Sequence, residues 1–269
     1  MDILEKIIAN KRQEVAERKS LIPEKLLERS IFYETTPLSL KKYLLRADKS
    51  GIIAEIKRKS PSKGVINPYV SVERTSIGYM QSGASALSVL TDKEFFGGSN
   101  EDLTTARKFN FCPILRKDFI IDEYQVVEAK SIGADAILLI AAVLEKDELK
   151  RLGKKAHELG LEVLLEVHNE EELSAINEHV DVLGVNNRNL KTFEVTLETS
   201  IKLSEKIPDH LVKISESGIS NPEAILQLKK HGFQGFLIGE YFMMDSLPER
   251  KCEAFIERLE SLQKEKTKV

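Results

Sequence analysis

The chain is short of the residues that announce metal, disulfide or dinucleotide chemistry. Its 269 residues include only two cysteines, Cys112 and Cys252, which form neither a disulfide framework nor a C-x-x-C pair. Such sparing use fits a reducing compartment, so a cytoplasmic protein is expected. The five histidines, His157, His168, His179, His210 and His231, show no H-E-x-x-H or related spacing, and no metal is expected. Most of them fall on predicted helices or loops and read as solvent-facing. No G-x-G-x-x-G follows the first predicted strand, which removes the usual sign of a dinucleotide cofactor. No apolar run approaches the roughly 20 residues that a membrane span needs. The opening Met1-Asp2-Ile3-Leu4-Glu5-Lys6 is amphipathic and lacks a signal peptide's apolar stretch. A formal charge of −3 and a pI of about 6.1 give no excess of positive charge, which argues against a nucleic-acid partner.

What is present is an ordinary globular composition, 31% charged and 42% hydrophobic, in 30.4 kDa. From Gly51 onward short apolar runs alternate with amphipathic ones. Strands are predicted at 52–57, 86–91, 113–117, 136–140, 162–167, 182–186, 212–216 and 235–239. Helical patterns lie at 72–81, 100–108, 122–131, 146–159, 170–178, 197–206, 222–231 and 248–262. Ser220-Asn221-Pro222 offers a cap with proline in the first turn, and Gly160 and Gly232 sit where helices end. Helices separating the strands call for parallel pairing. Closing eight β/α units gives a (β/α)8 TIM barrel, an α/β fold with no sheet edge; an open doubly wound sheet is the alternative. The first 50 residues lie outside the repeat. Ile3, Leu4, Ile7, Ile8 and Val15 share a helical stripe, and 38–45 reads as another short helix. These faces need burial, so residues 1–50 are expected to form an N-terminal helical extension packed on the barrel within a single domain.

The densest chemical signal is Glu55-Ile56-Lys57-Arg58-Lys59-Ser60-Pro61-Ser62, which puts an acid and a base where a buried strand should have neither. Alternation places Ile53, Glu55 and Lys57 on one face and Ile52, Ala54 and Ile56 on the other. Barrels carry function at the C-terminal ends of their strands. Those positions hold Glu55 and Lys57 on the first strand, Lys117 on the third, Glu166 on the fifth and Asn186 on the sixth. Glu216-Ser217-Gly218 closes the seventh strand and Gly239-Glu240 the eighth. Several carboxylates facing several ammonium groups around one ring suit general acid–base catalysis. At their ordinary pKa values Lys117 is a proton donor and Glu166 an acceptor. Structural alternatives stand beside this: Lys117 as the partner of Asp118, and Glu162 or Glu166 as a strand-end cap. Ser217 lacks His and Asp partners for a nucleophile's role.

A phosphate site is also legible. Ser217-Gly218 and Gly239-Glu240 follow the last two strands, where barrels bind phosphate through backbone N–H groups and a short helix. Glycine permits the close approach, and Ser60 with the Lys57 ammonium completes the cradle from the first loop. Phe95-Phe96-Gly97-Gly98-Ser99 offers an aromatic loop after the second strand.

Together these positions resemble the indole-3-glycerol-phosphate synthase family of tryptophan biosynthesis, over essentially the whole chain. The carrying motifs are Ala54 to Ser62, Ser88-Val89-Leu90-Thr91 with Phe96-Gly97-Gly98-Ser99, and Pro113-Ile114-Leu115-Arg116-Lys117-Asp118-Phe119. They continue with Glu166-Val167-His168, Gly184-Val185-Asn186-Asn187-Arg188-Asn189-Leu190, Glu216-Ser217-Gly218-Ile219 and Leu237-Ile238-Gly239. The resemblance implies ring closure of 1-(2-carboxyphenylamino)-1-deoxyribulose 5-phosphate to indole-3-glycerol phosphate, with loss of carbon dioxide and water and without a cofactor. By resemblance Lys117 is the general acid and Glu166 the general base. Lys57 binds the substrate's anionic groups and shares the acid role, while Glu55 and Asn186 orient and stabilise cationic intermediates. Arg188 holds the anthranilate carboxylate. Ser60, Ser217, Gly218, Gly239 and Glu240 surround the phosphate with Glu216 and Ile238 beside them, and Phe96, Phe119 and Leu190 line the aromatic pocket. Glu240 is the position to watch, because some relatives carry serine there. Only its backbone N–H suits a phosphate, so its side chain would have to point away, or the phosphate site would be weakened. Association with other enzymes of the pathway is not readable from the sequence.

Three rivals remain. Phosphoribosylanthranilate isomerase would need a catalytic Cys and Asp, yet neither Cys112 nor Cys252 falls at a strand's C-terminal end. A Schiff-base aldolase would use Lys117 as nucleophile. A non-catalytic sensor would bind the phosphate ester without turning it over.

Overall fold

Runs such as Ile52-Ile53-Ala54-Glu55-Ile56 are short, apolar and rich in β-branched residues, and each lies flat between two packed layers. In the computed structural model, which describes residues 2–267, eight of them close into a barrel. They are β1 (Ile52–Ile56), β2 (Ala86–Leu90), β3 (Ile114–Lys117), β4 (Ala136–Ile140), β5 (Glu162–Val167), β6 (Val182–Asn186), β7 (Val212–Glu216) and β8 (Gly235–Ile238). Every strand runs parallel to its sequence neighbours, and β8 returns to β1 through Ile52↔Phe236 and Ala54↔Ile238. The barrel itself has no open strand edge, as the α/β periodicity requires.

The crossover helices are Val72–Gln81, Asn100–Phe109, Glu123–Ser131, Lys146–Glu158, Glu198–Ser204, Pro222–Lys230 and Pro248–Thr267. One expectation is corrected. Residues 170–178 do not make an α-helix; only a 3₁₀ turn, Glu171–Ala175, forms between β5 and β6. The Glu172 carboxylate folds back to accept from the His168 N–H at 2.7 Å and from Asn169 Nδ2 at 2.7 Å. These local side-chain bonds compete with helix propagation in a segment too short to offset them.

Alternation along the strands sorts the core into two layers. Ile53, Leu115, Leu138, Leu164 and Ile214 fill the barrel, while Ile52, Ala54, Ile56, Leu87 and Val89 pack outward against the helices. Each fully buried Leu or Ile contributes about 1.5–3 kcal/mol.

The N-terminal extension grips the barrel at both ends. Asp2 and Glu5 form a capping box that starts the helix Ile3–Leu21, whose Ile7 and Val15 are buried. Ile3, Leu4 and Ile7 overhang the cavity at the C-terminal ends of the strands. At the opposite end the helix Leu40–Leu44 inserts fully buried Leu40 and Leu44 among the interior side chains. Glu162, at the start of β5, accepts from the Lys41 N–H at 2.8 Å and from the Ser39 hydroxyl. Glu162 therefore ties down the extension, and Glu166 four residues later is left for the opposite end.

Candidate active site

Parallel strands bring all their C-terminal ends to one rim, and a cavity of about 750 Å³ opens there. All sixteen residues singled out from the sequence line it: Glu55, Lys57, Ser60, Phe96, Lys117, Phe119, Glu166, Asn186, Arg188, Leu190, Glu216, Ser217, Gly218, Ile238, Gly239 and Glu240. Cys112 and Cys252 are buried elsewhere, ahead of β3 and on the last helix.

Lys117 ends β3 and stands at the centre. Its Nζ lies 2.9 Å from Glu166 Oε2 on β5 and 2.6 Å from Glu216 Oε2 on β7. Burial disfavours the ammonium, yet Glu166, Glu216 and Glu55 outweigh it and hold the lysine pKa above its ordinary value. Asp118 is not its partner; that carboxylate faces Lys11, Arg116 and Thr91. Burial also pushes Glu166 toward the neutral acid, but Lys117 and His168 outweigh that and keep it well below the usual carboxylate range. Glu216 goes the other way. Burial, with the carboxylates of Glu166 and Glu55 adding to it, pushes its pKa up to about 7 despite Lys117. On β1, Lys57 Nζ lies 2.9 Å from Glu55 Oε1, and Ser88 Oγ donates to Glu55 Oε2 at 3.2 Å.

Two glycines make room for these acids. A Cβ on Gly184 of β6 would collide with Glu216 Oε1 and with Leu164. A Cβ on Gly239 would collide with Glu55. Both carboxylates are held in slots cut by the absence of a side chain.

His168 departs from the expectation of a solvent-facing ring. Its side chain is only 9% exposed, with Nε2 3.3 Å from Glu166 Oε1 and Nδ1 3.2 Å from Glu172 Oε2. Burial opposes the imidazolium, but the two carboxylates win and raise its pKa to about 10. A histidine two residues beyond the strand-end carboxylate of Glu166, followed by Glu172, was the available sequence signal.

Across the mouth, Ser217 and Gly218 both adopt positive φ, 69° and 78°. Serine pays for that left-handed conformation where glycine does not. Asn186 Oδ1 accepts from Ser217 Oγ at 2.9 Å and from the Arg188 N–H at 3.0 Å, which fixes both loops. Of the two alternatives for Glu240, the side chain does not point away from the site. It sits at the cavity edge between Arg188, 3.2 Å away, and Lys63, 3.5 Å away. Two cations neutralise it there.

On the β2–β3 side the rings of Phe96 and Phe119 lie with centroids 6.0 Å apart at 38°. Leu190 joins the lining, and Ile3, Leu4 and Ile7 roof it. The roof was not legible in the sequence, because an amphipathic stripe does not say which surface it covers.

A parallel eight-stranded barrel with ammonium and carboxylate groups gathered at its C-terminal mouth is the architecture of a barrel enzyme working by proton transfer. The comparisons with known proteins narrow this. The family model described as indole-3-glycerol phosphate synthase matches residues 4–256. The protein named indole-3-glycerol phosphate synthase from Bacteroides thetaiotaomicron is 50% identical over 259 residues, covering 96% of this chain and 99% of that one. Its namesake from Caldanaerobacter subterraneus is 42% identical over 259 residues, covering 96% and 98%. Among solved structures, the tryptophan synthase α subunit of Legionella pneumophila superposes with a TM-score of 0.60 at 17% identity, covering 82% of this chain and 96% of that one, a likeness of fold alone. The chain belongs to the indole-3-glycerol phosphate synthase family.

Among the described residues no group of three His, Cys, Asp or Glu side chains is placed to hold a metal ion. No helix among them is long and apolar enough to cross a membrane.

Proposed function

We propose that this chain is a carboxy-lyase that closes 1-(2-carboxyphenylamino)-1-deoxyribulose 5-phosphate to indole-3-glycerol phosphate. The observation that carries the reading is the Lys117 ammonium held between Glu166 and Glu216, with an aromatic wall on one side and the Ser217-Gly218 and Gly239 turns on the other.

The geometry meets the demands of the reaction. Carbon–carbon bond formation moves an electron pair from the arene onto the ribulose carbonyl, leaving positive charge on ring and nitrogen. Lys117 gives a proton to the developing alkoxide, while Glu166, Glu216 and Glu55 stabilise the cation. Loss of carbon dioxide returns its bonding pair to the ring. The new hydroxyl then leaves as water with a second proton, and Glu166 takes the proton from the neighbouring carbon. Lys57, 2.9 Å from Glu55, is placed to share in that protonation. A flexible substrate must bend for its carbons to meet, and holding both ends lowers the entropic barrier. Ser60, Lys57, Ser217, Gly218 and Gly239 would hold the phosphate, Arg188 the carboxylate, and Phe96, Phe119 and Leu190 the aryl ring.

We also place the chain in the cytoplasm, in keeping with its two buried free thiols, as a single domain acting without a cofactor on a small phosphorylated substrate. Indole fluorescence appearing on addition of the carboxyphenylamino-deoxyribulose phosphate tests the function. No product from folded protein would refute it, and product-free binding would favour the sensor.

A further inference from the structure

Lys11 is a lysine with no exposed surface, on a helix that contributes no strand end to the site. It occupies the middle of the buried stripe Ile7, Lys11, Val15. Its ammonium donates to Glu14 Oε2 at 2.8 Å and forms ion pairs with Asp92 Oδ2 at 3.0 Å and Asp118 Oδ1 at 2.9 Å. Asp92 follows β2 and Asp118 follows β3.

Each aspartate also accepts from the backbone of an aromatic residue, while Asp118 Oδ2 is shared by Thr91 and Arg116. Asp92 Oδ1 accepts from the N–H groups of Phe95 at 2.7 Å and Phe96 at 3.3 Å. Asp118 Oδ1 accepts from the Phe119 N–H at 2.8 Å. Phe96 and Phe119 are the two rings that face each other across the aryl wall. One ammonium thus reaches both rings through one carboxylate each.

We propose that Lys11 is a positioning residue for the aryl half of the pocket, locking the Phe96 and Phe119 loops together through Asp92 and Asp118 and seating the Ile3–Leu4–Ile7 roof over them.

A buried ion cluster is weak evidence for stability, and some such clusters are kept for the geometry they specify. An apolar side chain at position 11 would fill the space, yet take from Asp92 the ammonium beside its Oδ2 and leave Asp118 to Arg116 and Thr91 alone, loosening the tie between the two loops. Charge-assisted bonds also hold direction better than neutral ones. Burial opposes the Lys11 ammonium, and Asp118, Asp92 and Glu14 overcome it, holding its pKa above the ordinary value. Burial likewise opposes the Asp118 carboxylate, but Lys11 and Arg116 hold its pKa down to about 2. The proposal deepens the functional reading and rests on it, since it presumes an aryl substrate.

The test compares wild type with Lys11→Met, which keeps the volume and removes the charge. Asp92→Asn, which keeps an acceptor but loses the ion pair, serves as a second variant should Lys11→Met not fold. Three readouts are taken: amide hydrogen exchange, steady-state kinetics, and inhibition by inorganic phosphate. Losing a buried charged bond accelerates exchange at the Phe95, Phe96 and Phe119 amides by about tenfold or more, with Ile53 and Leu164 unchanged. KM rises by about tenfold while kcat stays within about threefold. Inhibition by phosphate, which binds on the far side, is unaltered. Uniform acceleration across the barrel means a merely structural lysine and overturns the proposal. So does unchanged exchange at the three amides, or local acceleration with an unaltered KM. If wild type makes no indole product the functional reading falls instead, and the exchange pattern still decides whether the lock exists.

Discussion

Lys117 Nζ lies 2.6 Å from Glu216 Oε2, although 99 positions separate the two residues in the chain and they arrive from β3 and β7. Glu166 closes the triangle at 2.9 Å. Two carboxylates thus compete for one ammonium in a buried place. Burial and Lys117 act on both, yet Glu166 is driven down and Glu216 up, the pattern that the proposed acid–base role calls for.

Removing either end of the central pair should disable the chemistry and spare the fold. Lys117→Ala and Glu166→Gln are each expected to lower turnover by about 10²–10⁴-fold, with circular dichroism unchanged. Turnover within a few-fold of wild type in either variant would remove that residue from the mechanism.

Glu216 carries a pH signature of its own. Its carboxyl titrates near 4.5 when unperturbed and at about 7 in the folded protein, so the folded state binds the extra proton between those values. The stability that Glu216 contributes therefore falls as pH rises from about 4.5 to about 7. Urea unfolding of Glu216→Gln across that window should lack this part of the slope. Parallel curves for variant and wild type would show that Glu216 is ionised throughout.

His168 acts in the alkaline direction. Its pKa is raised from 6.5 to about 10, so the stability it supplies is complete below about pH 6.5 and disappears as pH climbs through 10. A His168→Asn variant should lose less stability than wild type between pH 7 and pH 10. An identical loss in both proteins would mean that the ring is neutral.

Gly184 is expected to matter for activity although it bears no functional group. A methyl group there takes the space of Glu216 Oε1, so Gly184→Ala should displace that carboxylate from Lys117. A fall in kcat of about tenfold or more is expected from a displacement on this scale. Unaltered kcat in a folded Gly184→Ala protein would show that the position of Glu216 is not critical.

The turns after β7 and β8 predict a dependence on phosphate. A dephosphorylated substrate analogue should bind far more weakly than the phosphorylated one in calorimetric titration. Equal affinities would place the anion somewhere other than Ser217, Gly218 and Gly239.

The barrel was legible because β/α alternation is a local property, and so were the strand ends, since position along a strand fixes which rim a side chain joins. Glu55 and Lys57 could be placed together from period-two geometry alone. The triangle of Lys117, Glu166 and Glu216 could be placed only on the same rim, because distances across a barrel depend on closure. Segments governed by side-chain bonding to local backbone were the ones misjudged: Glu172 turned an expected helix into a single turn. Glu240 was left open for a related reason. Its orientation depends on Lys63 and Arg188, which come from loops far away in sequence. Lys11 had a legible sign, a charge on the apolar stripe between Ile7 and Val15, but its partners Asp92 and Asp118 lie on loops that periodicity does not describe.

The grip of the first helices on both ends of the barrel has a consequence for how the chain is made. Ser39 and Lys41 find their acceptor, Glu162, 123 and 121 residues downstream. At a ribosomal pace of 5–20 residues per second, that acceptor is synthesised roughly 6 to 24 s after the residues that need it. Leu40 and Leu44 must wait longer still, until Gly235–Ile238 closes the cylinder around them. A segment made before the barrel is therefore among the last to settle, and in the interval its greasy face is available to a chaperone or to another nascent copy.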